Sequence, residues 1–299
     1  MTTVSVVIAT RNRRALLSET IATVQEQSFG DWELIVVDDA STDDTPAYLT
    51  TLRDSRIRSI RREVHGERSA ARNAGLAAAR GTFVMFLDDD DLLRANALEA
   101  LVGALAAEPN AVAAAGACRI LQRNGDSVKV YRPAKQVTRV IWRELLFGWW
   151  SNSGQNLYRT ATVRDAGGFD PALSLCEDRK LWLAVAAGGP VCVVPVVAME
   201  YRQHDGQSKA PNVDEIRRSV WSEFIASLDS HQQREARRIR RAADLVDRAE
   251  RSRGEHRFGD ALADQLRACL LAPSLVASPL TGRPLWWGVK KSLLRVSAP

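Results

Sequence analysis

In Val4-Ser5-Val6-Val7-Ile8-Ala9-Thr10-Arg11-Asn12-Arg13 a β-branched apolar run breaks off into polar and basic residues. An unbroken apolar run of that length marks a strand buried on both faces, as in a parallel sheet. Ala15 to Ser28 then carries Leu17, Ile21 and Val24 at helical spacing, and Glu33-Leu34-Ile35-Val36-Val37 is a second buried run that ends in Asp38-Asp39. Pro46 stands where a first helical turn begins, ahead of Tyr48, Leu49 and Leu52. Arg56 to Arg61 reads as another strand. Ser69 to Arg80 reads as an Ala-rich helix stopped by Gly81. Phe83-Val84-Met85-Phe86-Leu87 is a strand running into four aspartates, and Ala97 to Ala107 is a helix ended by Pro109. Alternation of this kind predicts an α/β fold, with a mostly parallel central sheet flanked by helices on both faces.

The second half is less regular. Val112 to Leu121 and Ser127 to Tyr131 read as strands joined by a turn at Asn124-Gly125-Asp126. Ile141 to Trp150 is apolar and aromatic. Asn156 to Tyr158 precedes a short helix at Thr162–Ala166 and the turn Gly167-Gly168-Phe169-Asp170-Pro171. Glu177 to Ala187 reads as a helix stopped by Gly188-Gly189, and Val191 to Val197 as a last strand. From Asp214 onward the pattern is helical, with Ile239, Ala243, Val246 and Ala249 forming a thin apolar stripe.

The 299 residues suit one large domain with an appendage, and 26% charged with 45% hydrophobic residues excludes a disordered or collagen-like chain. No apolar run approaches the ~18–20 residues of a membrane span. The chain passes from Met1 directly into Val4–Thr10, so no secretory signal is expected. Cys118, Cys176, Cys192 and Cys269 lack metal-ligand spacing and read as reduced thiols, which predicts a cytoplasmic protein. The +5 net charge is unevenly spread, with acids at Asp38-Asp39, Asp43-Asp44 and Asp88 to Asp91 and bases dense from Arg234 to Arg253.

In open α/β sheets, ligands bind outside the carboxyl ends of the strands. Here those ends carry Thr10-Arg11-Asn12, Asp38-Asp39 and Asp88 to Asp91. Two carboxylates ~5 Å apart repel by roughly 1 kcal/mol in water and several-fold more at a partly buried site. A strand running into four of them therefore predicts a bound cation. Oxygen-only ligands suit Mg²⁺ or Mn²⁺, and Mg²⁺ is commonly shared with substrate phosphates. The alternative is an acidic turn that caps the following helix. Asp38-Asp39 suits a ribose hydroxyl or a base N–H, or else a turn with Ser41 or Asp43 as helix cap. There is no GxGxxG after the first strand and no GxxxxGK[ST], which sets aside dinucleotide oxidoreductases and P-loop NTPases.

Taken in order, Val4 to Arg13, Val36-Val37-Asp38-Asp39-Ala40-Ser41-Thr42-Asp43-Asp44-Thr45, Ser69-Ala70-Ala71-Arg72-Asn73-Ala74-Gly75 and Phe86-Leu87-Asp88-Asp89-Asp90-Asp91 resemble the family 2 inverting glycosyltransferases. Gly167-Gly168-Phe169-Asp170, Glu177-Asp178 with Leu181-Trp182-Leu183, and Tyr201-Arg202-Gln203-His204 resemble that family's acceptor-side motifs. The resemblance covers roughly residues 3–208. It implies a Rossmann-like GT-A fold over 1–208, with a nucleotide-sugar half at 1–110 and an acceptor half at 111–208, followed by a helical extension over 209–299. It implies transfer of a sugar from a nucleoside-diphosphate sugar, a UDP-sugar first, to a carbohydrate, lipid-linked or small-molecule acceptor. By resemblance Asp39 reads the base, and Thr10, Arg11, Asn12 and Arg72 lie on the donor side. Asp88-Asp89-Asp90 matches the DxD motif: Asp90 holds Mn²⁺ or Mg²⁺, and Asp88 or Asp89 holds the ribose, with the neighbouring one-residue register also open. His204 approaches the metal or diphosphate. Asp178 is the catalytic base, and Glu177, Trp182 and Arg202 lie on the acceptor or diphosphate side.

Other readings of the same residues stay open. Glu177-Asp178 also suits a helix N-terminus, where each acid stabilises by ~0.3–1 kcal/mol. His204 suits a structural role, and Trp149-Trp150 with Trp182 suit either a sugar subsite or the core. A sugar-phosphate nucleotidyltransferase uses a similar sheet, but with a Gly-rich basic loop after its first strand. A phosphatase with a strand-end DxD and a non-catalytic nucleotide-sugar-binding protein complete the rivals. The Arg234 to Arg253 segment, interleaved with acids, reads as a solvated face. Leu285-Trp286-Trp287-Gly288-Val289-Lys290-Lys291-Ser292-Leu293-Leu294-Arg295 reads as an interfacial helix for an anionic membrane surface, or as a segment docked on the core or on a sister subunit of a homodimer. The excess charge points to a membrane surface or anionic carrier, and nucleic acid is not expected.

Overall fold

The computed structural model describes residues 2–121, 127–129, 133, 135–148, 152–204 and 211–276. The Asn124 turn, Trp149-Trp150 and the 285–295 segment lie outside the described residues. In chain order the elements are β1 (Val4–Thr10), α1 (Arg14–Gln25), β2 (Trp32–Asp39), α2 (Thr45–Thr51), β3 (Ile57–Arg62), α3 (Glu67–Ala78), β4 (Phe83–Phe86), β5 (Leu92–Leu93) and α4 (Ala97–Ala107). There follow β6 (Ala113–Leu121), β7 (Ser127–Lys129), β8 (Val137–Arg139), α5 (Trp142–Phe147), β9 (Asn156–Arg159), α6 (Thr160–Asp165), α7 (Glu177–Ala187) and β10 (Val191–Arg202). The chain closes with α8 (Val213–Ser227), α9 (Ser230–Gly254), α10 (Phe258–Leu271) and α11 (Pro273–Val276).

Two compact units emerge. The first holds residues 1–140 and 151–220, and the second holds 141–150 and 221–299. The boundary expected at 208/209 falls instead after Val220. Residues 141–150, expected in the acceptor half, belong with the C-terminal helices because α5 packs there. Trp142 stacks on Phe224, the Arg143 guanidinium makes two 2.7 Å bonds to Glu235, and Arg240 Nη1 donates to the Leu146 carbonyl at 2.5 Å. Within this unit Ile239, Ala243, Val246 and Ala249 are buried, as the stripe predicts, and Arg234, Arg237, Arg238 and Arg241 are exposed. No described helix is long and apolar enough to cross a membrane.

The first unit is built on one sheet in the order β3-β2-β1-β4-β9-β6-β10-β5, with β7 on β6 and β8 on β10. The expected parallel character holds from β3 through β2 and β1 to β4, and again for β6 with β10. Elsewhere the sheet is mixed: β9 runs antiparallel to both β4 and β6, and β5 antiparallel to β10. Successive strand residues face opposite sides. Val4, Val6 and Ile8 join a core with Leu17, Ile21 and Val24 of α1 and Leu98 and Leu101 of α4. Val7 points the other way, to α3, where a Cβ added at Gly75 would run into Val7 Cγ1. Helices therefore cover both faces. Gly75 sets how closely α3 approaches β1.

Parallel register aligns the strand ends. Thr10 pairs with Asp38, and Asp39 with Arg62, so the loops after β1 and β2 open on one edge. The two-residue β5 pairs with Met199-Glu200. That pairing brings the end of β10 beside the acidic run after β4.

Candidate active site

The strand-end loops enclose a cleft of about 480 Å³ lined by Thr10, Arg11, Asp39, Arg72 and Asp88 to Asp90, among others. Three non-glycine residues at or next to its lining have left-handed backbones, Asn12 (φ 53°), Ala40 (58°) and Glu67 (63°), and so does Cys176 (62°) at the entry to α7. Such conformations cost about 1–3 kcal/mol each and concentrate where a loop is held for a purpose.

At one end, the Asp39 carboxylate accepts from Arg62 Nη1 at 2.5 Å, from Gly66 N at 3.2 Å, and lies 2.6 Å from His65 Nδ1. His65 also lines the cleft. A lone histidine in a loop has no periodic signal, and sequence reasoning missed it. Asn12, expected on the donor side, is instead a stitch between loops. Its Oδ1 accepts from Thr42 N at 2.7 Å and Asp43 N at 3.3 Å, and its backbone N–H donates to Ser41 Oγ at 3.0 Å. Thr10 lines the cleft, with its hydroxyl donating to Asp89 Oδ2 at 2.7 Å. Arg11 is exposed at the rim.

The acidic run divides in an unexpected way. Ligand oxygens of Asp88, Asp90 and Asp91 lie within 4.8 Å of one another, and Asp89 stands apart on Thr10 and Arg13. The converging set thus includes Asp91, outside the expected 88–90 triplet. Burial, with the neighbouring charges of Asp88 and Asp90, pushes Asp91 well above the usual carboxylate range. Its Oδ2 is buried without a hydrogen-bond partner. Burial also lifts Asp89 to about 6, against the pull of Arg13. His204 Nε2 is 2.9 Å from Asp90 Oδ2, so the sequence-predicted pair is together. Three crowded carboxylates, a buried orphan oxygen and a histidine fit an oxygen-rich divalent-cation site.

Arg13 was missed as a site residue, although it closes the first motif. Its Nη1 lies 3.0 Å from Asp89 Oδ1 and 2.8 Å from Asp90 Oδ2. Arg202, expected on the diphosphate side, backs the acidic run instead. Its Nε donates to the Asp90 carbonyl, its N–H donates to Asp91 Oδ1 at 3.3 Å, and its fork reaches Glu19 and the Leu16 carbonyl on α1. Its neighbour Tyr201 lines the cleft.

Arg72 is 5% exposed and joins the acidic run to α7. It donates to Asp88 Oδ1 at 2.5 Å and to Glu177 Oε1 at 2.6 Å. Burial alone would lower its pKa, but Asp88 and Glu177 outweigh that and raise it. The next residue, Asn73, grips the Gly167-Gly168-Phe169 turn. Its Nδ2 donates to the Phe169 carbonyl at 2.7 Å, and Phe169 N returns a bond to its Oδ1 at 2.8 Å. Both glycines need their positive φ of 83° and 72°. This grip sets the entry to α7, whose first turn carries Glu177 and Asp178. Asp178 accepts from Arg179 N at 2.7 Å, and burial with the adjacent Glu177 pushes its carboxyl up to about 7. Trp182, expected on the acceptor side, lies in the core instead: it is 1% exposed and stacks edge-on against Tyr158 at 5.3 Å. One helical turn past Glu177-Asp178, its side chain faces the sheet.

The model of Glycosyl transferase family 2 matches residues 5–167. The Escherichia coli UDP-Glc:alpha-D-GlcNAc-diphosphoundecaprenol beta-1,3-glucosyltransferase WfgD is 38% identical over 96 residues, 32% of this chain and 38% of that protein. Succinoglycan biosynthesis protein ExoO of Rhizobium meliloti is 30% identical over 225 residues, 71% of this chain and 64% of that one. The match therefore spans well under half of WfgD and just under two thirds of ExoO. Residues 1–349 of S. aureus TarS, solved with UDP-GlcNAc, superpose with a TM-score of 0.67 at 18% identity, covering 98% of this chain and 92% of that one. That likeness gives the fold, which is of the GT-A type. The family match takes in more than half of the chain, from β1 through the acidic run to the Gly167 turn, and by it the chain belongs to glycosyl transferase family 2.

Proposed function

We propose that the protein is an inverting glycosyltransferase that moves a sugar from a UDP-sugar to the hydroxyl of a lipid-linked saccharide, by single displacement with Asp178 as general base. The observation that carries this reading is one cleft lined by Asp39 at one strand end and by Asp88 and Asp90 at another. A nucleotide base and a diphosphate fit those two ends. The similarity to TarS, solved with UDP-GlcNAc, supports a UDP-sugar. The similarity to WfgD, which acts on a diphosphoundecaprenol-linked sugar, supports a lipid-linked acceptor.

In this reading the acceptor oxygen attacks the anomeric carbon. The bond from that carbon to the diphosphate breaks, and the acceptor's proton passes to the Asp178 carboxylate. Such a base is worth ~10²–10⁴-fold. Asp88, Asp90 and Asp91, with His204, would hold Mn²⁺ or Mg²⁺, which supplies positive charge against the leaving diphosphate. Arg72 keeps Glu177, and with it the start of α7, tied to Asp88.

The test is a panel of nucleoside-diphosphate sugars with Mn²⁺, scored by release of nucleoside diphosphate, with and without a lipid-diphosphate-linked sugar. UDP release that depends on the cation and rises with acceptor is expected, and chelation by EDTA should stop it. Full activity in chelator would remove the metal assignment. Turnover of sugar-1-phosphate with a nucleoside triphosphate would favour a nucleotidyltransferase instead.

A further inference from the structure

The acidic run carries cations of the chain's own. Asp90 Oδ2 faces both His204 Nε2 at 2.9 Å and Arg13 Nη1 at 2.8 Å, and the same Arg13 nitrogen reaches Asp89 Oδ1 at 3.0 Å. A divalent ion on Asp90 would compete for that oxygen and repel the guanidinium. Arg13 and Arg72, both lining the cleft beside these acids, differ in burial. Arg72 is buried between Asp88 and Glu177. The Arg13 side chain is 27% exposed and opens on the cleft. Its backbone is fixed by the Asn12 stitch to residues 41–43, so movement is left to the side chain. A planar guanidinium leaving a carboxylate finds an equivalent two-oxygen partner in a phosphate.

We propose that Arg13 is an exchangeable counter-ion: it neutralises Asp89 and Asp90 while the cleft is empty, and passes to the diphosphate when the cation and nucleotide arrive. The proposal rests on the cleft being a cation–nucleotide site, as argued above. It makes cation and nucleotide depend on Arg13 with opposite sign. Arg13 opposes the bare cation, because it must leave Asp90, and favours the nucleotide, which receives it.

Calorimetric titration separates the two. In Arg13→Met, Mn²⁺ alone should bind at least about fivefold tighter, because a like charge is removed. UDP at saturating Mn²⁺ should bind at least about tenfold more weakly, through loss of a charge-assisted contact. Arg13→Lys keeps the charge without the fork, so its Mn²⁺ affinity should stay near wild type while UDP binding weakens. That variant also keeps the proposal testable if the methionine variant unfolds. Arg14→Met, one residue along and outside the cleft, should leave both affinities unchanged. If the methionine variant weakens both ligands together, or changes neither, the exchange is wrong although the cleft still binds. If the wild-type protein binds neither Mn²⁺ nor UDP, the functional reading falls and takes this inference with it.

Discussion

Asp178 has to be unprotonated to take a proton from an acceptor, yet burial and the neighbouring Glu177 hold its carboxyl protonated up to about pH 7. The base form therefore gains population as pH rises through about 7. Under the proposed chemistry kcat/KM should climb across that range, and a profile flat from pH 6 to 8 would speak against Asp178 as the base. Asp178→Asn should cut transfer by ~10²–10⁴-fold while UDP binding survives. Because the native pKa is raised, the ionised carboxylate weakens the fold above pH 7, so the Asn variant should also melt higher than wild type at pH 8. A purely structural acid cap would give the reverse: a lower melting point and little change in rate. Neighbouring residues differ in how openly the sequence declares them. Asp39, Asp88 and Asp90 end apolar runs, and those runs are readable. Asn12, Trp182 and Arg202 are polar or aromatic residues inside recognisable motifs. Their side chains turn to the loop, the core and α1, and that direction depends on packing that no spacing encodes.

At the scale of elements, α3 shows how one residue sets a distance. Gly75 lets the helix lie against Val7, and Arg72 and Asn73 reach Asp88 and the Gly167 turn from that height. Gly75→Ala should cost about 1–3 kcal/mol by overpacking, read as a lower denaturation midpoint. Val7→Ala in the same chain should recover part of the loss, and a Gly75→Ala protein as stable as wild type would show that α3 yields. The parallel half of the sheet was legible because β1, β2 and β4 are unbroken apolar runs, β3 places Ile57 and Ile60 between arginines, and the helices between them have their own period. The rest was not. β5 is two residues long and has no period of its own; its partners in β10 define it. β9 reverses direction between β4 and β6, and nothing in Asn156–Arg159 declares an orientation. Likewise α5 is six apolar-rich residues whose unit is chosen by Phe224, Glu235 and Arg240, far along the chain.

For the molecule as a whole, the acids of the run after β4 and of the first turn of α7 set how stability depends on pH. Asp178 at about 7, Asp89 at about 6 and Asp91, well above the usual range, all bind protons more tightly folded than unfolded. Their contribution is complete below the unfolded value near ~4 and is lost as pH rises through the native values. Asp54 at about 2, and Glu33, held low by hydrogen bonds from Ser5 and Arg80 that outweigh its burial, act oppositely and fail only in acid. In EDTA the melting temperature should therefore be higher at pH 5 than at pH 8. Saturating Mn²⁺ should restore the pH 8 value, since a ligand at 100-fold its Kd adds about 2.7 kcal/mol. A melting temperature that stays level in EDTA, or is indifferent to Mn²⁺, would deny that these carboxylates form a strained apo site. The placement of α5 has a different kind of consequence. Its unit is assembled from two stretches separated by the whole of β9 to β10, so on the ribosome α5 emerges well before the helices that cover Trp142 and Leu146 have been made. Its apolar face has to be shielded in the meantime. A single crossover between genes would also strand α5 on one side of the join, so the helical unit cannot be traded as a cassette and must be inherited together with the sheet.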